Sequence, residues 1–311
     1  MRRPAPLPRE LEGRPFSTAR AGTEGVSGAR LRAADLEAPF SGVRVPRGSA
    51  TTVAARARAL STVLGDGVVF SHLTAARLWP LELPREQDDE PLHVAVRHPG
   101  RAPRRRGVIG HSIADPEVRA VVRHGLRLTD GASLFCHLAP ILRLADLVAV
   151  GDALLREPFR QAAGDRRPWV ARGALEARVA AYRGPGAPAA RRALTLVRSG
   201  AESRKETEFR LALLEAGMPE PELQVPVHDA AGFIGRLDTL YPRWKVGGEY
   251  EGDQHRTDRV QWDRDLIRYE RLAAAGFSIV RIAAASFLRD PAGCAARVRA
   301  RLLDAGWRPA P

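Results

Sequence analysis

The C-terminal 110 residues alternate short apolar segments with longer amphipathic ones, and this order constrains the fold most. Apolar residues at helical spacing over 203–216, with Gly217 after them, predict a helix. Strands are expected at 223–227, 233–240, 244–251 and 277–282, with helices at 258–275 and, interrupted at Pro291, at 285–305. A strand, a crossover helix and a second buried strand form a parallel pair. The order predicts an α/β (α+β) fold with a mixed sheet covered by helices.

Residues 8–48 predict a small helical unit closed by a strand. A weak helix at 16–21, a turn at 25–27, a second helix at 27–36 and a strand at 43–45 match a winged helix-turn-helix. Its second helix would offer Arg30 and Arg32 to DNA, and its wing would offer Arg44. A helical cap with solvated arginines fits the same pattern.

The sequence predicts three domains. Residues 1–48 form the winged-helix-like unit, residues 49–195 form a basic α+β domain, and residues 196–311 form the domain with the mixed sheet. The middle domain contains a loop, 101–106, with four arginines in six residues, including Arg104, Arg105 and Arg106. Such a run can neutralise the phosphates of DNA, or it can be a solvated hairpin tip.

The distribution of charge matters more than its total of +13, from 49 basic and 36 acidic residues. Only two of the basic residues are lysines, an arginine bias typical of a GC-rich genome, so the total alone is weak evidence for nucleic-acid binding. Residues 202–311 hold 17 side chains of each sign, which leaves the whole excess on residues 1–201. A cationic N-terminal part therefore precedes a neutral C-terminal part.

Two features of the sequence predict the cellular location of the protein. Cys136 and Cys294 are too few and too far apart for a disulfide framework or a metal site, and both are interpreted as core thiols. No apolar run approaches the length of a transmembrane helix. We therefore expect a cytoplasmic protein with no membrane partner.

Carboxylates cluster on the predicted C-terminal sheet. Asp238 ends the second strand, and Glu249 and Glu251 lie on one face of the third because strand side chains alternate. Clustered acids are costly unless a cation is present, and carboxylate oxygens suit Mg²⁺ or Mn²⁺. Glu206, on the preceding helix, is placed to reach the same metal, and His255 is a candidate general acid or base. A solvated acidic face and a loop histidine are the simpler interpretations.

The C-terminal pattern resembles the PD-(D/E)XK restriction-endonuclease-like superfamily, in particular an actinobacterial Vsr-like domain of unknown function. The resemblance covers about residues 200–284 and rests on Glu206-Thr207, Phe209-Arg210, Ala216-Gly217-Met218-Pro219, Arg236-Leu237-Asp238, the run from Glu249 to Asp258, Gln261, Asp265 and Arg281. It implies a metal-dependent DNA endonuclease with Asp238, Glu249 and Glu251 at the metal.

The sequence departs from that motif at two positions. Leu237 replaces the proline before the aspartate, and Glu251 replaces the lysine, where this subfamily usually has an aspartate. The missing lysine leaves the general base open, with His255 preferred over Lys245.

The upstream region also resembles known proteins. Residues 70–79 are similar to the segment that precedes the Vsr-like domain, and the N-terminus is similar to the winged helix of AbiEi-like type IV antitoxins, which binds operator DNA. Two functions therefore stay open. One is a DNA endonuclease; the alternative is a non-catalytic DNA-binding regulator with a degenerate nuclease fold.

Overall fold

The computed structural model describes residues 4–84, 90–251 and 259–309, with side chains from residue 264 onward in the last range. The chain forms two compact units: Met1–Arg143 with Val170–Leu194, and Leu144–Trp169 with Thr195–Pro311. The predicted mixed α/β class is confirmed. None of the helices in the described ranges is long and apolar enough to cross a membrane.

Short strands dominate the N-terminal part of the chain. Its elements are β1 Phe16–Ser17, α1 Thr18–Thr23, β2 Leu36–Glu37, β3 Val43–Pro46, α2 Val53–Ser61, β4 Val69–Phe70, α3 His72–Leu78, β5 Leu92–Arg97, β6 Val108–Ile113, β7 Ala120–Arg123, β8 Leu126–Thr129 and α4 Gly131–Leu138. The strands form a three-stranded sheet, β1-β3-β2, and a five-stranded sheet, β6-β5-β4-β8-β7. Three helices follow: α5 Leu144–Leu155, α6 Arg172–Ala181 and α7 Ala187–Leu196.

The helix predicted over 27–36 is wrong. This segment forms only a 3-10 turn, Arg30–Arg32, before β2 begins. Leu31 and Leu36 are five residues apart, a spacing that does not place two side chains on one face of an α-helix. Leu36 instead pairs with Pro46 in the small sheet. The second helix expected for a helix-turn-helix is therefore absent from this segment.

The C-terminal elements follow the predicted order. They are α8 Arg204–Glu215, β9 Glu222–Asp229, β10 Gly232–Tyr241, β11 Val246–Glu251, α9 Arg259–Ala274, β12 Ser278–Ala283, α10 Ala284–Arg289 and α11 Pro291–Asp304. Ser203 caps α8 by accepting a hydrogen bond from the Glu206 N–H, and Gly217 at φ 78° ends it, as expected. The predicted break at Pro291 separates α10 from α11.

The second unit is built on a four-stranded mixed sheet, β12-β11-β10-β9. β9 and β10 form an antiparallel hairpin, and β11 pairs in parallel with β12 across the α9 crossover, as predicted. One face packs Val280 and Ile282 against Phe209 of α8, and the other packs Leu237 against Leu272 of α9. A Cβ at Gly248 would stand 2.7 Å from the Phe209 ring, so the glycine allows this close packing.

A buried ion pair joins α8 to α5 within the second unit. Arg210 is 0% exposed and donates a hydrogen bond to Asp152, 1% exposed, over 3.1 Å. Asp152 also accepts from the Thr207 hydroxyl at 2.8 Å, and Arg210 donates to the Leu196 carbonyl at 2.8 Å. Each charge therefore has several partners away from water, which is the condition for burying it.

We predict that Arg210→Met lowers the free energy of unfolding by about 3–5 kcal/mol, because it leaves the Asp152 carboxylate buried without its cation. Urea unfolding followed by circular dichroism measures this loss. The matched control is Arg198→Met, which removes an exposed pair with Glu220 and should cost less than about 1 kcal/mol. Equal losses in the two variants would contradict a structural role for the buried pair.

Candidate functional site

The acidic residues predicted from sequence lie on neighbouring elements of the second unit. Thr239 of β10 pairs with Gly248 of β11, so the antiparallel register sets Asp238 beside Glu249. Glu206 lies in the first turn of α8. Repulsion from Glu206 and from Glu249 contributes to the raised pKa of Asp238, as expected for carboxylates that share one region.

A glutamine that the sequence did not single out connects two of these acids. The side-chain amide of Gln224 on β9 donates to Glu206 Oε2 at 3.0 Å and to Asp238 Oδ1 at 3.2 Å. Gln224 has φ 51°, a left-handed conformation that costs energy for a residue with a side chain. Only the hairpin register, which sets Leu223 and Val225 opposite Thr239 and Leu237, reveals that Gln224 faces Asp238.

Backbone donors hold both carboxylates in place. The Tyr250 N–H donates to Asp238 Oδ2 at 2.9 Å. The Glu202 N–H donates to Glu206 Oε2 at 2.7 Å, and the Ser203 hydroxyl donates to Glu206 Oε1 at 3.0 Å. Within the described ranges, no basic side chain bonds to either Asp238 or Glu206. Their negative charge is met by neutral donors alone.

This arrangement raises the pKa of both groups. Burial, followed by repulsion from Glu206, raises the pKa of Asp238 from 3.8 to about 7. Burial is also the main cause of the raised pKa of Glu206. Near neutral pH, Asp238 is therefore poised between its protonated and charged forms.

Glu249 and Glu251 have a different environment. Both project from the same face of β11, as the strand alternation predicted, and the Tyr269 hydroxyl of α9 lies within hydrogen-bonding reach of both carboxylates. Arg268 donates to both oxygens of Glu249, and Arg281 donates to both oxygens of Glu251, one of these bonds being 2.8 Å long. Two arginines thus compensate the glutamate charges for which the sequence predicted a metal ion.

The remaining predicted groups do not complete a compact acidic site. Among the described residues, the four acids do not bring three ligand atoms within 4.8 Å of one another. His255 lies outside the described residues. Lys245, the other candidate base, precedes β11 and donates to the Ala275 carbonyl at 3.0 Å, so its amine supports the turn after α9.

The predicted DNA-binding arginines of the first unit separate into two groups. Arg30 pairs with both oxygens of Asp35, Arg44 donates to the Leu31 carbonyl at 2.7 Å, and Arg105 donates to the Ser41 carbonyl at 2.8 Å. Arg30 and Arg44 stabilise the segment between residues 30 and 44, and Arg105 ties its loop to the segment at Ser41. The other three arginines have exposed side chains: Arg32, Arg104 and Arg106.

A histidine cluster of the first unit was missed by the sequence analysis. His72, His93 and His111 bring one ring nitrogen each within 4.8 Å of the others. They lie on α3, β5 and β6, and only the strand register brings them together. The sequence signal for this cluster is weak: one histidine in each of two strand-like segments.

Comparison with known proteins gives two relatives and no family. No family model matches the chain. Two uncharacterized proteins, from two strains of Mycobacterium tuberculosis, are each 38% identical to it over 135 residues. The match covers 43% of this chain and 49% of each relative, so the chain spans about half the length of the curated relatives it matches. These names assign no activity.

We predict that Asp238→Asn stabilises the protein at pH 8 and that the gain disappears near pH 4. The folded-state pKa of about 7 exceeds the ordinary 3.8, so the native state holds a proton that the unfolded state releases, and stability falls as pH rises through this range. Each pKa unit corresponds to about 1.4 kcal/mol. The loss of the hydrogen bond between Gln224 and Asp238 offsets about 1 kcal/mol of this, which leaves a gain of about 3 kcal/mol.

Urea unfolding at both pH values measures this effect, with Asp229→Asn as the control. Hydrogen bonds from Arg271 lower the pKa of Asp229, so removing that charge should destabilise the protein at pH 8 instead. A loss of stability at pH 8 in both variants would contradict the assignment of repulsion to Asp238.

Proposed function

We propose that the second unit is a metal-dependent endonuclease domain that hydrolyses phosphodiester bonds in DNA. The supporting observation is the pair of partly buried carboxylates, Asp238 and Glu206, whose charges have no basic partner in the described ranges. A divalent cation held by both would compensate the burial that raises their pKa values and, at Asp238, the repulsion from Glu206. The donor set consists of hard oxygens, which fit Mg²⁺ or Mn²⁺.

Asp238 and Glu206 would hold the ion, with Glu249 and Glu251 at the edge of the site. When bound, the ion polarises a phosphodiester and lowers the pKa of a water. The Tyr250 N–H donates to Asp238 Oδ2 and the Gln224 amide donates to Oδ1, so the metal would take a remaining lone pair of this carboxylate. His255 is the proposed group that takes or gives the proton.

Arg268 and Arg281 would position the DNA. Both lie against carboxylates of β11, with side chains 24% and 38% exposed. A guanidinium group pairs with phosphate through the same two-pronged geometry that it uses with carboxylate. In this proposal the two arginines exchange part of their contact with Glu249 and Glu251 for backbone phosphates.

The first unit would contribute affinity for DNA. Arg32, Arg104 and Arg106 are exposed, and the charge excess of the chain lies on residues 1–201. Contacts of this kind hold any DNA through its phosphates and therefore select no particular sequence.

One observation favours the alternative of a non-catalytic, DNA-binding regulator of the type IV antitoxin kind. Arg268 and Arg281 already satisfy Glu249 and Glu251, and the position of the motif lysine is occupied by the second of these acids. An acidic face neutralised in this way is stable without metal and serves as a scaffold.

We predict that the full chain nicks supercoiled DNA with Mg²⁺ or Mn²⁺ and that Asp238→Asn and Glu206→Gln each reduce the rate more than about 100-fold. Metal-ion catalysis supplies several kcal/mol of transition-state stabilisation, and each 1.4 kcal/mol is about tenfold in rate. Asp229→Asn, which changes an acid at the far end of β9, should cleave like the wild type. Cleavage that survives both substitutions would refute the site, and metal-independent binding without cleavage would support the regulator.

We also predict that the double variant Arg104→Ala and Arg106→Ala weakens DNA binding and flattens its salt dependence. The slope of log affinity against log salt changes by about 0.9 for each phosphate that the protein no longer neutralises, or by up to about 2 here. Fluorescence anisotropy across a salt series measures the slope. A control that removes the same charge, Arg289→Ala with Arg301→Ala, changes exposed arginines of the second unit. Equal slopes in both double variants would argue against a specific role for the loop.

A further inference from the structure

Three structural elements of the first unit converge on one point. In the parallel pair of β5 and β6, Ala95 lies opposite His111. His93 is two residues before Ala95, so both histidines project from the same face of the sheet. The Ser71 N–H extends the ladder by donating to the His93 carbonyl at 3.0 Å, and His72 follows directly at the start of α3.

The ring nitrogens of the three imidazoles lie close to one another. His93 Nδ1 and His111 Nε2 face each other at 3.0 Å. The rings of His72 and His111 stack with centroids 3.8 Å apart. Zinc–nitrogen bonds of about 2.0–2.1 Å in a tetrahedron separate two ligand atoms by about 3.3 Å. Small side-chain rotations convert a cluster within 4.8 Å into this geometry.

The cluster also holds its imidazoles in the form that binds metal. Burial, reinforced by the neighbouring imidazoles, lowers the pKa of His72 to about 3 and that of His93 to about 4. Burial also lowers the pKa of His111. Neutral imidazole is the ligand form, so no proton has to be displaced at neutral pH. The Ser71 hydroxyl lies 3.0 Å from His72 Nδ1, which leaves Nε2 of that ring for a metal.

A fourth histidine, beside the cluster, is buried, and neither of its ring nitrogens has a hydrogen-bond partner among the described residues. This residue is His137, which is 5% exposed. Its ring is stacked with His72 at a centroid distance of 5.5 Å. The nearest carboxylate, Asp115, is 3.9 Å from His137 Nε2 and is already paired with Arg178. A buried imidazole without partners is costly unless an ordered water or ligand completes it.

We propose that His72, His93 and His111 bind one divalent transition-metal ion of the zinc, cobalt or nickel class. Three imidazoles and no carboxylate select such ions over Mg²⁺ or Ca²⁺. Three protein ligands leave the fourth tetrahedral position for a water or an anionic ligand. His137 lies beside that position and supplies a hydrogen-bonding group for whatever occupies it. This site is separate from the carboxylates of the proposed nuclease centre.

The test uses the full chain, purified without a polyhistidine tag and stripped of metal with a chelator. We expect isothermal titration calorimetry with Zn²⁺ to give one site per chain, and Co²⁺ to give the intense visible spectrum of a tetrahedral complex. Mg²⁺ in excess, which the carboxylates of the second unit would take, should neither displace Zn²⁺ from the histidines nor change this spectrum. Failure of the wild-type chain to bind one Zn²⁺ would overturn the proposal without any appeal to a variant.

Substitutions then locate the ion. His93→Asn and His111→Asn should each weaken Zn²⁺ binding about 100-fold or more, beyond the 10–100-fold cost of losing a partner that only orients a ligand. The control His228→Asn removes an exposed histidine of the second unit and should leave affinity unchanged. Asp238→Asn should also leave it unchanged, which separates this result from the fate of the nuclease proposal. Unchanged binding in folded His93→Asn and His111→Asn, checked by circular dichroism, would refute the assignment.

Discussion

The buried pair between Arg210 and Asp152 is the interaction on which the second unit depends. It ties α8 to α5, whose sequence lies some 50 residues upstream, and Thr207 of the same helix joins it. Glu206 is the neighbour of Thr207, so the network that buries Arg210 also fixes the acid that faces Asp238. Because charges in the interior demand specific partners, the pair sets the rotation of α8 more narrowly than apolar packing does.

The carboxylates on this sheet are compensated in two different ways at neighbouring positions. On β11, each glutamate receives a guanidinium, and the charges cancel locally. Between β10 and α8, the described residues offer Asp238 and Glu206 an amide, a hydroxyl and backbone N–H groups but no cation. Neutral donors stabilise a carboxylate less than a cation does, so the negative charges of Asp238 and Glu206 are only partly compensated. Partly compensated buried carboxylates of this kind are typical of a functional site.

The sequence predicted the order of the C-terminal elements because their signals are local: Ser203 and Gly217 bound α8, and Pro291 separates the last two helices. It also predicted that Glu249 and Glu251 share a face. It did not predict Gln224, Arg268 or Arg281 as partners, because hydrogen bonds across 14 to 30 residues depend on strand register and helix rotation.

The two proposed metal sites differ in donor chemistry, and this difference has a consequence for selectivity. Asp238 and Glu206 offer carboxylate oxygens, and burial raises the pKa of both groups, that of Asp238 to about 7, so a hard ion such as Mg²⁺ suits them. The histidines of the first unit are already neutral and offer nitrogens, which bind zinc-class ions far more tightly than Mg²⁺. A chain that holds both donor sets can therefore retain one ion as a permanent part of the first unit while the other exchanges with solution. Occupancy of the histidines would then report on folding of the first unit, whereas occupancy of the carboxylates would follow the concentration of free metal and the protonation of Asp238.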